Sequence, residues 1–245
     1  MTTSYTALCN DFYVNAKLTS RMELPRSREP VLELFERIKR EYPQMAAFRK
    51  YKDELALESG QGDAPHRWMG IRARSVRTGI VNPTDDSEMH DLHRSAFEVC
   101  PYYLSISPLD VESVELLYGF DLAARANHDT IVAAALLEGS PLAAVFDTPG
   151  ARVRECQPLV GLTLDEGRIQ ATIEVKTRTD KVLGAAQTDP ISLYVTVRST
   201  EPVTDLKQLP GRVDDLAESG LHLVDSLAIP SLLRPLREEI ESGSF

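Results

Sequence analysis

The sequence predicts an α+β protein made of two tandem ferredoxin-like halves, each of βαββα type with an antiparallel sheet, followed by a helical C-terminal tail. Three observations lead there. Residues 168–178 alternate without a break, with Arg168, Gln170, Thr172, Glu174, Lys176 and Arg178 on one side and Ile169, Ala171, Ile173 and Val175 on the other, the period of a half-buried strand. A faint echo lies about a hundred residues earlier, where Ile71-Arg-Ala-Arg74-Ser75-Val-Arg77-Thr78 reads against Ile173-Glu-Val-Lys176-Thr177-Arg178-Thr179, with one extra residue that a β-bulge would absorb. Both stretches also belong to a series running strand, helix, strand, strand, helix. The expected units are residues 1–105, residues 106–203 and a leucine-rich tail over 204–245.

Taken in order, residues 12–24 put Phe12, Val14, Ala16, Leu18, Met22 and Leu24 opposite Tyr13, Asn15, Lys17, Thr19, Arg21 and Glu23, a long strand with one wet face. Pro25 ends it, and Ser27 is placed to cap a helix on which Val31, Leu34, Phe35, Ile38 and Tyr42 share a face up to Pro43. Strands are expected over 54–58 and 67–81, joined by the Gly- and Pro-containing loop 59–65. Asp85 with Glu88 has the spacing of a capping box, and Met89, Leu92, His93, Ala96, Phe97 and Cys100 mark the buried stripe of the helix that follows.

The pattern then restarts. Val114, Leu116, Tyr118, Phe120 and Leu122 alternate with Glu115, Leu117, Gly119 and Asp121, and Asn127 is an N-cap for a helix that is apolar nearly all round to Leu137. Gly139 stops that helix, and a short helical continuation follows to Phe146. Strands are expected over 153–164, 168–178 and 191–197, the first two joined through Asp165-Glu166-Gly167. From Thr204 the chain reads as helical pieces broken at Pro210, Pro230 and Pro235, whose leucines dock either on the sheet or on a partner.

The composition is that of a globular protein, with 42% hydrophobic and 26% charged residues. A formal net charge of -10 opposes non-specific binding to nucleic acid or anionic membrane, so nucleic acid is not an expected partner. Three widely spaced cysteines argue for a reducing compartment, the start of the chain lacks a secretory pattern, and no apolar run is long enough to span a bilayer, which together predict a cytoplasmic protein.

Candidate chemistry is sparse. Arginine forks suit phosphate or carboxylate, and if the two related strands run close together, Arg72, Arg74, Lys176 and Arg178 would converge with Tyr194 and Arg198 on one sheet face, beside Glu174, as a site for a small anionic ligand. The acidic tail is the alternative partner for those cations. Glu174-x-Lys176 also has the spacing of a metal-dependent nuclease strand, yet the nearby Asp165 falls in the hairpin turn rather than opposite Glu174.

His90 and His93, three apart and near Glu88, Asp91 and Cys100, are either metal ligands short of a third donor or core histidines with hydrogen bonds. Tyr102 and Tyr103 either line a pocket or fill the seam between the halves. No G-x-S-x-G, phosphate-binding loop, dinucleotide fingerprint, H-E-x-x-H or C-x-x-C is present, so no cofactor is expected. The function that follows is non-enzymatic: an interaction or scaffold protein that self-associates or binds a protein partner through its sheet face or its tail, with the small anionic ligand as the alternative.

Overall fold

Alternation of apolar and polar residues gives each long strand one dry face, and in the computed structural model those dry faces line up in a single sheet. The structure describes residues 4–25, 27–146, 148–150, 152–177 and 189–243. The strands are β1 (Asp11–Ser20), β2 (Met45–Lys50), β3 (Leu55–Ser59), β4 (His66–Arg72), β5 (Ser75–Val81), β6 (Val111–Leu122), β7 (Leu159–Leu164), β8 (Ile169–Lys176) and β9 (Ile191–Ser199). They form one nine-stranded sheet in the order β2-β3-β4-β5-β1-β6-β9-β8-β7, and every pairing among the described residues is antiparallel.

The two long strands β1 and β6 pair at the centre over nearly their whole lengths, so the two halves share one sheet and one hydrophobic core. The register is close to twofold-symmetric about this pair. A twofold through Ala16 and its partner Leu116 carries Val14 onto Val114 and Leu18 onto Tyr118. It then carries the row Ile71, Val76, Leu18, Val114 onto the row Ile173, Val195, Tyr118, Val14, and all eight residues are buried. Ile71 and Ile173, aligned by sequence, thus occupy matching places.

The halves are not built as ferredoxin-like units. Such a unit interleaves its strands through a parallel split βαβ, whereas here β3, β4 and β5 are joined by short turns, pair in chain order as a meander, and deliver β5 antiparallel to β1. The expected strand over 67–81 is a hairpin. Arg72 pairs with Ser75 across a two-residue turn at Ala73-Arg74, which lacks the Gly, Asn or Asp that usually marks such a turn. The edge strand β2 was not anticipated either, because Met45, Ala46 and Ala47 show no alternation.

Helices cover one face. They are α1 (Arg28–Glu41), α2 (Asp91–Tyr103), α3 (His128–Leu137), the short α4 (Ala143–Phe146), α5 (Leu209–Leu223) and α6 (Arg234–Ser242). Asn127 caps α3 by accepting from the Thr130 amide at 3.0 Å, and Asp85 accepts from Ser87 rather than closing a capping box with Glu88. α1 packs on α2, α2 on β1 and β5, α5 on α2, β6 and β9, and α6 on α3.

The tail docks on its own chain. Val213, Leu216, Val224, Ala228, Leu233 and Leu236 are buried. Prolines do not break it into pieces as expected: a π-helical stretch, Val224–Leu233, joins α5 to α6, and the Arg234 amide reaches back to the Ile229 carbonyl. The wider turn accommodates Pro230, which lacks an N–H and would crowd an α-helical carbonyl. Among the described residues no helix is long and apolar enough to cross a membrane.

Candidate functional site

The second face of the sheet carries none of these helices. Side chains that alternate away from the core, among them Tyr13, Asn15, Lys17, Trp68, Arg77, Tyr194, Thr196 and Arg198, make a half-exposed surface about 38 Å across at the usual strand spacing. Two glycines shape it. Gly119 on β6 leaves its face bare, and the Tyr13 ring from β1 lies on it so closely that a Cβ there would sit 2.2 Å from the Tyr13 Cε2. Tyr194 approaches from β9, and the two rings stand 6.5 Å apart.

Gly79 on β5 is covered in the same way by Trp68 from β4, with the indole Nε1 2.2 Å from where a Cβ would be. Arg77 then stacks over the indole, its guanidinium carbon 5.2 Å from the ring centre. Beneath Tyr13 and Tyr194, Asp121 accepts from the Ser192 hydroxyl at 2.6 Å and from the Tyr13 hydroxyl at 3.3 Å. Burial and the neighbouring Tyr194 and Asp121 hold the Tyr13 hydroxyl firmly protonated. These aromatic rings are therefore fixed platforms rather than mobile side chains.

The basic residues expected to converge are divided among three carboxylates. Arg72 and Arg77 both reach Glu54, the latter at 3.1 Å, and Glu54 is only 9% exposed. Arg74 and Arg198 face opposite oxygens of Glu112 at 3.8 and 3.9 Å. Lys176 pairs with Glu174 at 3.1 Å and sits 5.8 Å from the centre of the Tyr194 ring. Arg178 lies outside the described residues.

β4 and β8 are five strand steps apart, about 24 Å, and the register sets Arg72 level with Ser113 of β6 and Lys176 level with Asp121, so the two residues lie about 35 Å apart. The symmetry that matches their strands is what keeps them on opposite flanks. Among the described residues, Arg72, Arg74, Lys176 and Arg198 pair with carboxylates of the sheet and its turns and not with the acidic tail. A shallow basin of ≈ 550 Å³ lies over the first half, bordered by Tyr51, Glu54, His66, Trp68, Arg72 and Arg77.

His90 and His93 lie on the other face, inside the core. His90 Nε2 is 2.8 Å from the Tyr118 hydroxyl, which donates onward to the Ala217 carbonyl of α5 at 3.5 Å. His93 Nδ1 is 2.7 Å from the Thr78 hydroxyl of β5. Burial, with Arg94 adding to it, pushes His90 down to about 4, and burial drives the fully enclosed His93 well below the usual imidazole value. Both rings are neutral near pH 7 and tie α2 to the sheet. Among the described residues no group of three His, Cys, Asp or Glu side chains is placed to hold a metal ion.

The nuclease-like pattern does not assemble. Glu174 pairs in register with Leu159, and Asp165 lies six residues further along the hairpin, about 20 Å away, ion-paired to Arg168. Cys100 is fully buried with its thiol pushed up by desolvation. Tyr102 is 65% exposed, and Tyr103 borders a groove along α1 rather than a seam between the halves.

Sequence reasoning set Tyr13 and Asp121 on the polar side of their strands but did not single out either of them, Trp68 or Glu54 as parts of a site. A usable signal was present in Gly79 and Gly119, single glycines inside strand patterns, which mark positions where another group comes close. Asp129 was missed as well. It is 1% exposed and accepts from the Cys156 amide at 2.9 Å and the Thr177 hydroxyl at 2.6 Å, pinning the segment before β7 and the end of β8 to the start of α3. No protein-family model matches the chain, and no curated protein matches it in sequence.

Proposed function

We propose that this chain is a non-enzymatic cytoplasmic interaction protein that holds a protein partner on the uncovered face of its sheet. The observation that carries the reading is the face itself: rings seated on glycines at Gly79 and Gly119, with Arg72, Arg74, Arg77, Lys176 and Arg198 around them matched to carboxylates. Rigid aromatic area gives a partner apolar contact at little cost in ordering, and side-by-side charges of both signs favour a polar protein surface over a lone anion. Of the two surfaces offered by the sequence, the tail is occupied by its own core, which leaves the sheet. The matched register of the two halves supports reading them as copies of one unit, and the free cysteines fit a reducing compartment.

A small phosphorylated or carboxylated ligand is the weaker reading, because it would have to displace Glu54 from two arginines or Glu112 from two more. The test is native mass spectrometry of the protein purified from its own cells, compared with a Trp68→Ser, Tyr194→Ser double variant. A protein partner bound to the first and lost from the second, with unchanged melting, is the expected result. A small molecule in place of a protein, or a partner other than a second copy of the chain retained by the variant, contradicts it.

A further inference from the structure

The two rims of the sheet are treated differently. β2 carries Arg49 and Lys50, both exposed, and its pairing with β3 shifts register between Met45 and Ala47. Exposed charge and a bulge are the usual devices that stop an edge strand from pairing again. β7 has neither. Its sequence, Leu159-Val-Gly-Leu-Thr-Leu164, is uncharged, its register with β8 is unbroken, and Leu159 and Val160 are 61% and 53% exposed.

The backbone groups of that rim can be assigned. The Val175 amide donates to the Pro158 carbonyl at 2.9 Å, which makes residues 158, 160, 162 and 164 the set that bonds inward to β8. The amides and carbonyls of Leu159, Gly161 and Thr163 therefore point out of the sheet, and none has a backbone partner beyond β8 among the described residues.

We propose that β7 pairs antiparallel with β7 of a second copy about a twofold at Gly161, joining two sheets into one. That register sets Leu159 opposite Thr163 and places all three outward residues in bonded pairs. Val160 then meets Leu162 of the copy on the core side, extending the apolar row made by Ile169, Ala171 and Ile173 of β8. A second copy suits this edge because the strand is complementary to itself and brings no charge to the seam, while each chain carries -10 overall. The pairing is independent of the open-face reading, since it uses the rim and leaves the face free.

Two variants test it together with sedimentation equilibrium. Gly161→Pro removes one outward amide and leaves the bonds to β8 in place; it should give a monomer with near-wild-type melting where the parent protein is a dimer at micromolar concentration. Gly161→Cys places two thiols across the axis at a bonded-pair spacing of about 5.5 Å, within disulfide range, and should cross-link on mild oxidation while Ala47→Cys on β2 does not. A parent protein that is monomeric throughout overturns the proposal. So does a dimer in which Gly161→Cys fails to cross-link, which also decides the matter if Gly161→Pro does not fold.

Discussion

Lowering the pH should loosen this fold well before its carboxylates titrate, and His90 is the group through which the size of the effect can be worked out. Its folded value is about 4 against 6.5 for an ordinary histidine. Because the unfolded chain takes up the proton first, stability is complete above pH 6.5 and falls as the pH drops toward 4. At 1.36 kcal/mol per unit, the loss from His90 alone is about 2 kcal/mol by about pH 5 and about 3 kcal/mol by about pH 4. That is a large share of the 5–15 kcal/mol or so that holds a typical domain together.

The groups around the ring do not offset the loss. It faces the Tyr118 hydroxyl from β6 and the His93 ring from its own helix, and the charge acting on it is that of Arg94, itself held by Asp91 and Asp214. Glutamine at this position keeps a donor for Tyr118 and has nothing to titrate. Urea unfolding of the parent protein and His90→Gln, followed from about pH 7 to about pH 5, should show the variant losing about 2 kcal/mol less over that interval. Parallel curves, or an imidazole resonance of His90 titrating above pH 6, would refute the burial argument.

Other consequences follow from the same packing. Gly119→Ala forces the Tyr13 ring off the sheet, because its Cε2 stands 2.2 Å from the new methyl group, and should cost about 1–3 kcal/mol in urea melts while Thr196→Ala on the neighbouring strand costs far less. A chain ending at residue 203 loses the cover over Leu116, Tyr118, Val195 and Val197, and size-exclusion chromatography should find it aggregated rather than as a smaller folded species. A screen of phosphates and carboxylates should leave the melting temperature unchanged in both the parent protein and the Arg74→Ala, Lys176→Ala double variant, since those cations already have partners.

How much of this was legible in the sequence depended on whether the signal was local. The period-2 runs that form β1, β6, β8 and β9 were readable because one face is wet and the other dry along their whole length. The match of Ile71 to Ile173 was readable for the same reason. What alternation cannot carry is the order of strands. Nothing in the sequence says that β5 returns to β1 rather than pairing within a ferredoxin-like unit, and that choice is what sent Arg72 and Lys176 to opposite flanks.

Arg72, Lys176 and Arg198 stand on the exposed side of their strands as the alternation implied, but their partners were invisible. Glu54 and Glu112 sit at strand boundaries, far in sequence from Arg77 and Arg198. The tail was misread at its prolines because a helix that widens to π geometry tolerates them, a backbone adjustment without a sequence signature.

The helix-free face of the sheet is where the partner is expected to sit. Hydroxyl-radical footprinting of the natively purified assembly, against the protein stripped of its partner, reads this directly. Oxidation of Trp68 and Tyr194 should fall in the assembly while that of Tyr102, 65% exposed on α2, stays the same. Protection at Tyr102 with Trp68 and Tyr194 unchanged would put the partner on the helical layer and contradict the account.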